Sequence, residues 1–264
     1  MKKKEIAFGV SAFVLLFVSI AVGQKPEPGQ QVNCLFKYTN GEDEKTMKYD
    51  LFVPKNYQEK NKFPLMLFLH GAGERGNDLT KVRSWGPPKL VKKRKDFPFI
   101  VISPQCPKAS SWTKRLDGLE ALVRQVAGQL KVDQKKIYCT GLSMGGFGTW
   151  ALCAKYPKLF AAAVPICGGG RSSTAAKLKD LPIWVFHGDA DRVVPYAYSE
   201  KLVQAIKKAG GTQVKFTTYK GVGHNSWSQA YATEELYKWL LSHSRRVASS
   251  KPQKANPKPS SGNN

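Results

Sequence analysis

The chain has 264 residues, 42% of them hydrophobic, which suits one domain with a sizeable core and leaves no break long enough for a second. Lys and Arg number 42 against 19 Asp and Glu, a net charge of +23, of which +16 falls on the part between the two chain ends described below. Such a summed field attracts polyanions, yet no zinc-finger, RRM or KH pattern accompanies it, which sets specific nucleic-acid recognition aside. An acidic polysaccharide or an anionic cell surface is the better candidate partner, and the plainer alternative is a generally basic, solvated surface.

The first residues read as a leader. Lys2-Lys3-Lys4 is a basic head, residues 6–20 are apolar, and Ala21-Val22-Gly23 is a small-residue cleavage site. The alternative is an uncleaved anchor, but the apolar run is short for a membrane span of ~20 residues. Residues 1–23 are therefore expected to be a signal peptide, the protein secreted or periplasmic, and no stable membrane span to remain. Residues 244–264 are rich in Lys, Pro, Ser and Asn without apolar periodicity, which predicts a basic disordered tail. The domain is expected over 24–243.

Between these ends, strands are predicted at 49–53, 65–70, 99–103, 137–140, 162–166, 183–187 and 214–219. Leu116, Leu119, Val123, Val126 and Leu130 recur at helical spacing; further helices are expected over 146–156, over 199–209 before Gly210-Gly211, and over 234–242. Strands alternating with helices imply an α/β fold, a mostly parallel sheet covered on both faces. Trp85-Gly86-Pro87-Pro88 and Trp112 read as irregular segments that could roof a cleft.

Gly141-Leu-Ser143-Met-Gly145 follows a strand and opens a helix, the context of a nucleophile elbow, in which a strained turn exposes a serine hydroxyl. Downstream come Asp189 and Asp191 after one predicted strand and His224 after another, so all candidates lie past C-terminal strand ends, where ligands bind in open α/β sheets. A free hydroxyl is a poor nucleophile and needs a base, which His224 can supply; a carboxylate must hold the other imidazole nitrogen. By residue type and position, Asp189 and Asp191 compete for that place. His70 and His187, in His-Gly turns, read as structural or supporting, and His243 as a surface residue.

His70-Gly-Ala-Gly-Glu-Arg-Gly76, the run from Gly141 to Trp150, His187-Gly-Asp-Ala-Asp191 and Gly221-Val-Gly-His224 together resemble the phospholipase/carboxylesterase branch of the α/β-hydrolases. Within it, the likeness is to secreted esterases and peptidases filed beside dienelactone hydrolases, feruloyl esterases and prolyl oligopeptidases, and it spans roughly residues 50–241. The resemblance implies a single-domain α/β-hydrolase fold and a Ser143–Asp191–His224 triad, with Asp189 left as a turn residue. It also implies an oxyanion hole from the backbone N–H groups of Ala72 and Met144. Glu74, Trp85, Trp112 and Trp227 are the candidate substrate contacts, each with simple loop packing as the alternative. The expected activity is carboxylic ester hydrolysis through an acyl-enzyme, needing no metal or organic cofactor; acetyl or feruloyl groups on polysaccharide are the candidate substrates. A prolyl oligopeptidase-like peptidase, and a non-catalytic polyanion-binding module on the same scaffold, are the alternatives.

Five cysteines make at least one unpaired thiol. Cys139, Cys153 and Cys167 fall in predicted core elements, and no zinc-site spacing occurs.

Overall fold

The computed structural model describes residues 26–40 and 43–245. The expected leader and nearly all of the expected tail lie outside the described residues.

Among the described residues, eight strands form one sheet: β1 (Gln31–Asn40), β2 (Asp43–Phe52), β3 (Phe63–Leu69), β4 (Ile100–Pro104), β5 (Val132–Leu142), β6 (Ala162–Ile166), β7 (Ile183–Gly188) and β8 (Val214–Tyr219). Their spatial order is β1-β2-β4-β3-β5-β6-β7-β8. The pairs β1–β2 and β2–β4 are antiparallel and every later pair is parallel. The predicted strands at 162–166 and 214–219 are found with those bounds, and the one predicted at 137–140 begins five residues earlier, at Val132. β1 was not expected, although Val32, Cys34, Phe36 and Tyr38 alternate inward along it. Its other face carries Asn33 and Lys37, so it reads as polar unless the period of two is counted.

Among the described residues the α-helices are α1 (Gly86–Leu90), α2 (Leu116–Gln129), α3 (Met144–Lys155), α4 (Ala175–Leu178), α5 (Ala197–Lys208), α6 (Trp227–Ala232) and α7 (Glu234–Ser242). Two of the segments expected to be irregular are ordered: Gly86-Pro87-Pro88 opens α1, with proline at the helix start where its missing N–H costs nothing, and Trp112 opens a 3₁₀ turn. The sheet is covered on both faces because its central strands are apolar on both. In β3, Leu65, Leu67 and Leu69 belong to the core cluster shared with α2, α3 and α5, while Met66 and Phe68 belong to the one shared with α6 and α7. Arg245, expected in the tail, folds back instead: its backbone N–H donates to Lys135 O (2.9 Å) and its guanidinium to Lys158 O (3.0 Å). No helix among the described residues is long and apolar enough to cross a membrane.

The packing that positions the functional edge is the approach of α3 to β3. A Cβ added to Gly145 would lie 1.8 Å from Leu69 O, and one on Gly141 would lie 2.4 Å from Gly145 O. Both are backbone contacts that no side-chain rotation relieves. Gly145→Ala is therefore expected to lose about 3 kcal/mol of stability. Gly128→Ala, on α2 with no atom within 4 Å of the new Cβ, should gain about 0.5–1 kcal/mol. Urea unfolding midpoints of the two variants check both signs.

Candidate active site

Ser143 joins β5 to α3 with φ 52° and ψ −117°. A positive φ at a non-glycine residue costs about 1–3 kcal/mol and persists only where the surroundings impose it. Here they do: the Ser143 N–H donates to Ile166 O (3.0 Å), and the glycines around it are pinned against β3. Cys167, at the end of β6, has φ 39° and is the only other non-glycine residue with positive φ among the described residues.

Two side chains reach Ser143 from neighbouring loops. His224, after β8, has Nε2 2.9 Å from Ser143 Oγ and Nδ1 2.7 Å from Asp191 Oδ2. A carboxylate can only accept, so in the neutral ring Nδ1 carries the proton and Nε2 is free to accept from the serine hydroxyl. The Asp191 side chain is fully buried. Its Oδ1 accepts the backbone N–H groups of Val193 (2.8 Å) and Val194 (2.9 Å). Burial works to raise the Asp191 carboxyl; the His224 bond and the Val194 and Val193 N–H groups outweigh it and hold the group below the ordinary carboxylate range. Asp189 faces away from this cluster. Its Oδ1 accepts Gly221 N–H (2.7 Å), tying the β7 and β8 loops together.

His187 is a second imidazole on the same carboxylate. Its Nε2 lies 3.1 Å from Asp191 Oδ2 and 3.0 Å from Val194 O, and its Nδ1 lies 2.8 Å from Ser199 Oγ. Burial pushes His187 below the usual histidine value. No sequence spacing marks this contact, because His187 is the penultimate residue of β7 and Asp191 lies in the loop that follows it.

Ala72 is the first residue of a short 3₁₀ turn and Met144 the first of α3, so neither N–H has a partner one turn back. The loop carrying Ala72 lies beside the serine: a Cβ on Gly71 would be 3.8 Å from Ser143 Cβ. His70 fixes that loop, donating from Nδ1 to Gly71 O (2.6 Å) and accepting Cys106 N–H at Nε2 (3.0 Å). Burial drives His70 down to about 4.

The expected substrate contacts separate. Trp112 is fully buried, its indole N–H donates to His70 O (2.9 Å), and its ring packs edge-on against His70. Glu74 turns back on its own loop. Burial raises its carboxyl, against the Gly71 and Glu74 N–H groups and the Trp85 indole, which favour the charged form. Trp227 stands edge-on to His224 (5.2 Å between centroids) and to Trp85 (5.9 Å), so these two half-buried rings wall the histidine side. On the other side of Ser143, a cleft of about 370 Å³ is lined by residues 111–113, Met144 and Phe147.

The ligand atoms of Cys167, Asp191 and His224 lie within 4.8 Å of one another, the one such set among the described residues. A soft ion there would have to break the Asp191–His224 hydrogen bond, and burial pushes the Cys167 thiol up to about 12, away from the thiolate a metal needs. All five cysteines are buried free thiols.

The profile of the phospholipase/carboxylesterase family matches residues 97–240, more than half of the chain. The chain belongs to this family. The match holds Ser143, Asp191 and His224; the loop at 70–78 precedes it. A probable feruloyl esterase C of Aspergillus oryzae is 27% identical over 184 residues, 68% of this chain and 67% of that protein. A bifunctional acetylxylan esterase/xylanase of Neocallimastix patriciarum is 26% identical over 57% of this chain and 22% of its own length. Among solved structures, a thermostable esterase is 37% identical with a TM-score of 0.70, over 81% of this chain. The chain spans 63% of that esterase's length. The phospholipase/carboxylesterase family is one of ester hydrolases, and the sheet is that of an α/β-hydrolase.

In this family member, the neutrality of His70 makes the loop acid-sensitive. The unfolded chain takes up a proton near pH 6.5 and the folded chain only near pH 4. The His70 contribution is thus complete above pH 6.5 and drains away as pH falls toward 4, a loss of about 3 kcal/mol. Urea midpoints across that range should fall steeply for the natural chain. They should fall less for His70→Gln, which starts less stable.

Proposed function

We propose that the chain is an exported serine esterase in which Ser143 is the nucleophile, His224 the general base and acid, and Asp191 the group that orients and charges the imidazole. The observation that carries this reading is the continuous line Ser143 Oγ–His224–Asp191 at 2.9 and 2.7 Å, with the serine on a strained turn.

His224 takes the serine proton as Oγ attacks the ester carbonyl. The charge developing on the carbonyl oxygen is met by the N–H groups of Ala72 and Met144, each donor of this type being worth about 3 kcal/mol of barrier. His224 then protonates the departing alcohol, leaving an acyl-serine. Water gives a proton to the same imidazole as it attacks that ester, and His224 returns the proton to Ser143 Oγ as the acyl bond breaks and the acid leaves. Asp191, ionised and saturated with donors, holds the Nδ1 tautomer throughout. Besides the ester and water, each of these steps uses only groups of this chain.

The named activities of the relatives favour acetyl or feruloyl esters borne on polysaccharide as the substrate class. The shallow cleft at Ser143 suits an ester projecting from a polymer. Export rests on the leader-like first 23 residues. The basic chain end fits attachment to an anionic surface, weakening with salt.

Ser143→Ala should lower 4-nitrophenyl acetate hydrolysis by at least about 10⁴-fold. Asp191→Asn should lower it by about 10⁴-fold while Asp189→Asn stays within about threefold. A fluorophosphonate probe should label Ser143 in the natural chain, and an unlabelled Ser143 in folded protein overturns the assignment.

A further inference from the structure

Beyond Phe147 the cleft at Ser143 continues into a larger groove of about 680 Å³, the two sharing Thr113 and Phe147 as lining. Its walls are apolar: Phe147, Trp150 and Tyr198, the last half-exposed and set edge-on to Phe147 (6.3 Å, 82°). Gly169 and Gly170 form the side toward β6. A Cβ on Gly169 would meet Tyr198 Cβ at 2.7 Å, and one on Gly170 would meet Leu202 Cδ2 at 2.7 Å. The backbone itself is therefore the wall there.

The charge around this groove is one-sided. Lys155, Arg171, Lys177 and Lys201 line it and no carboxylate does. Lys155 is neutralised by Asp117, but Arg171, Lys177 and Lys201 are exposed and have no ion pair among the described residues. Three unpaired cations over an aromatic floor, beginning at the flank of Ser143, make a site for a carboxylate attached to a ring. A sugar face stacks on Tyr198 and Phe147 while its carboxylate meets the cations.

We propose that this groove is a subsite for a uronate residue of the glycan that carries the scissile ester, so that the enzyme selects esters on acidic polysaccharide over the same esters on neutral chains. The inference deepens the esterase reading and rests on it for the position of the ester. The uronate need not react; it holds the chain while the neighbouring ester reaches Ser143.

The test compares acetylated xylo-oligosaccharides with and without a glucuronate branch, alongside 4-nitrophenyl acetate. At low ionic strength kcat/KM for the glucuronate-bearing substrate should exceed that for the neutral one about tenfold, and the gap should close near about 0.5 M salt. The combined variant Arg171→Ser, Lys177→Ser, Lys201→Ser should erase the gap and leave 4-nitrophenyl acetate turnover unchanged. A control with equal charge loss at the opposite strand ends (Lys60→Ser, Lys62→Ser, Lys135→Ser) should keep the gap. Equal kcat/KM for the two glycans, or a gap lost equally in both variants, overturns the subsite. Calorimetry with the de-esterified glucuronate-bearing oligosaccharide separates the two readings: if no ester is turned over, the esterase assignment fails, while salt-sensitive binding lost only in the groove variant still upholds the subsite. Absence of binding in the natural chain overturns it.

Discussion

The carbonyl oxygen of Leu69 occupies the place where a side chain at residue 145 would have to be. That one contact locks the start of α3 onto the end of β3, and the rest of the edge follows from it. With α3 held so close, the link from β5 has only Ser143 in which to turn, and the turn forces φ to 52°. The same closeness brings the loop after β3 against the serine, so the free N–H groups of Ala72 and Met144 belong to two elements that cannot drift apart. Rigid backbone, rather than side chains, sets that geometry, which suits the oxyanion role proposed for these two N–H groups.

The second constraint is the saturation of Asp191. A buried carboxylate is costly unless its oxygens are filled, and here two backbone N–H groups and two imidazoles fill them. His187 also faces the Val194 carbonyl with the same nitrogen, so that nitrogen must be the donor. Its other nitrogen and Gly168 O both lie within reach of the single Ser199 hydroxyl proton. Oδ1 is thus held by the two backbone N–H groups, while Oδ2, the oxygen that meets His224 Nδ1, also takes the His187 bond. His187 positions Asp191 from beneath, in the way Trp112 and His70 position the loop after β3.

The parts of this arrangement legible in the sequence were those with a short-range signature. β6, β8 and α7 have apolar patterns bounded by turn residues, and their predicted limits coincide with the observed ones. The order Ser143, Asp191, His224 along the chain was readable because each residue lies past the C-terminal end of a recognisable strand, β5, β7 and β8. β1 was lost because half of its side chains face water and Asn and Lys dilute its alternation. The choice between Asp189 and Asp191 was not local, since both sit in one turn. It depends on which carboxylate the β8 loop approaches, and Gly221 meets one while His224 meets the other. Trp112 hides a second duty for a related reason: it lines the cleft beside Ser143, and only the packed structure shows that its buried N–H also serves the His70 carbonyl. Nothing in sequence spacing could bring Arg171, Lys177 and Lys201 around one groove, because they come from the loop after β6, from α4 and from α5, which meet only once these elements are packed.

The two strained non-glycine residues, Ser143 and Cys167, end adjacent parallel strands. Together they cost about 2–6 kcal/mol, a large share of the stability of an ordinary domain. They are tolerable because the strands behind them are among the most completely buried in the molecule, with Leu142, Ile166 and Cys139 at 2% exposure or less. Core packing and site strain are therefore parts of one device. A loosened core behind β5 would let Ser143 relax to negative φ and swing its hydroxyl away from His224 before the fold itself was lost. On this reasoning cavity-forming changes at Ile166 or Leu142 act on the hydroxyl's alignment first and on global stability second, so the site is the most sensitive reporter of packing in this part of the sheet.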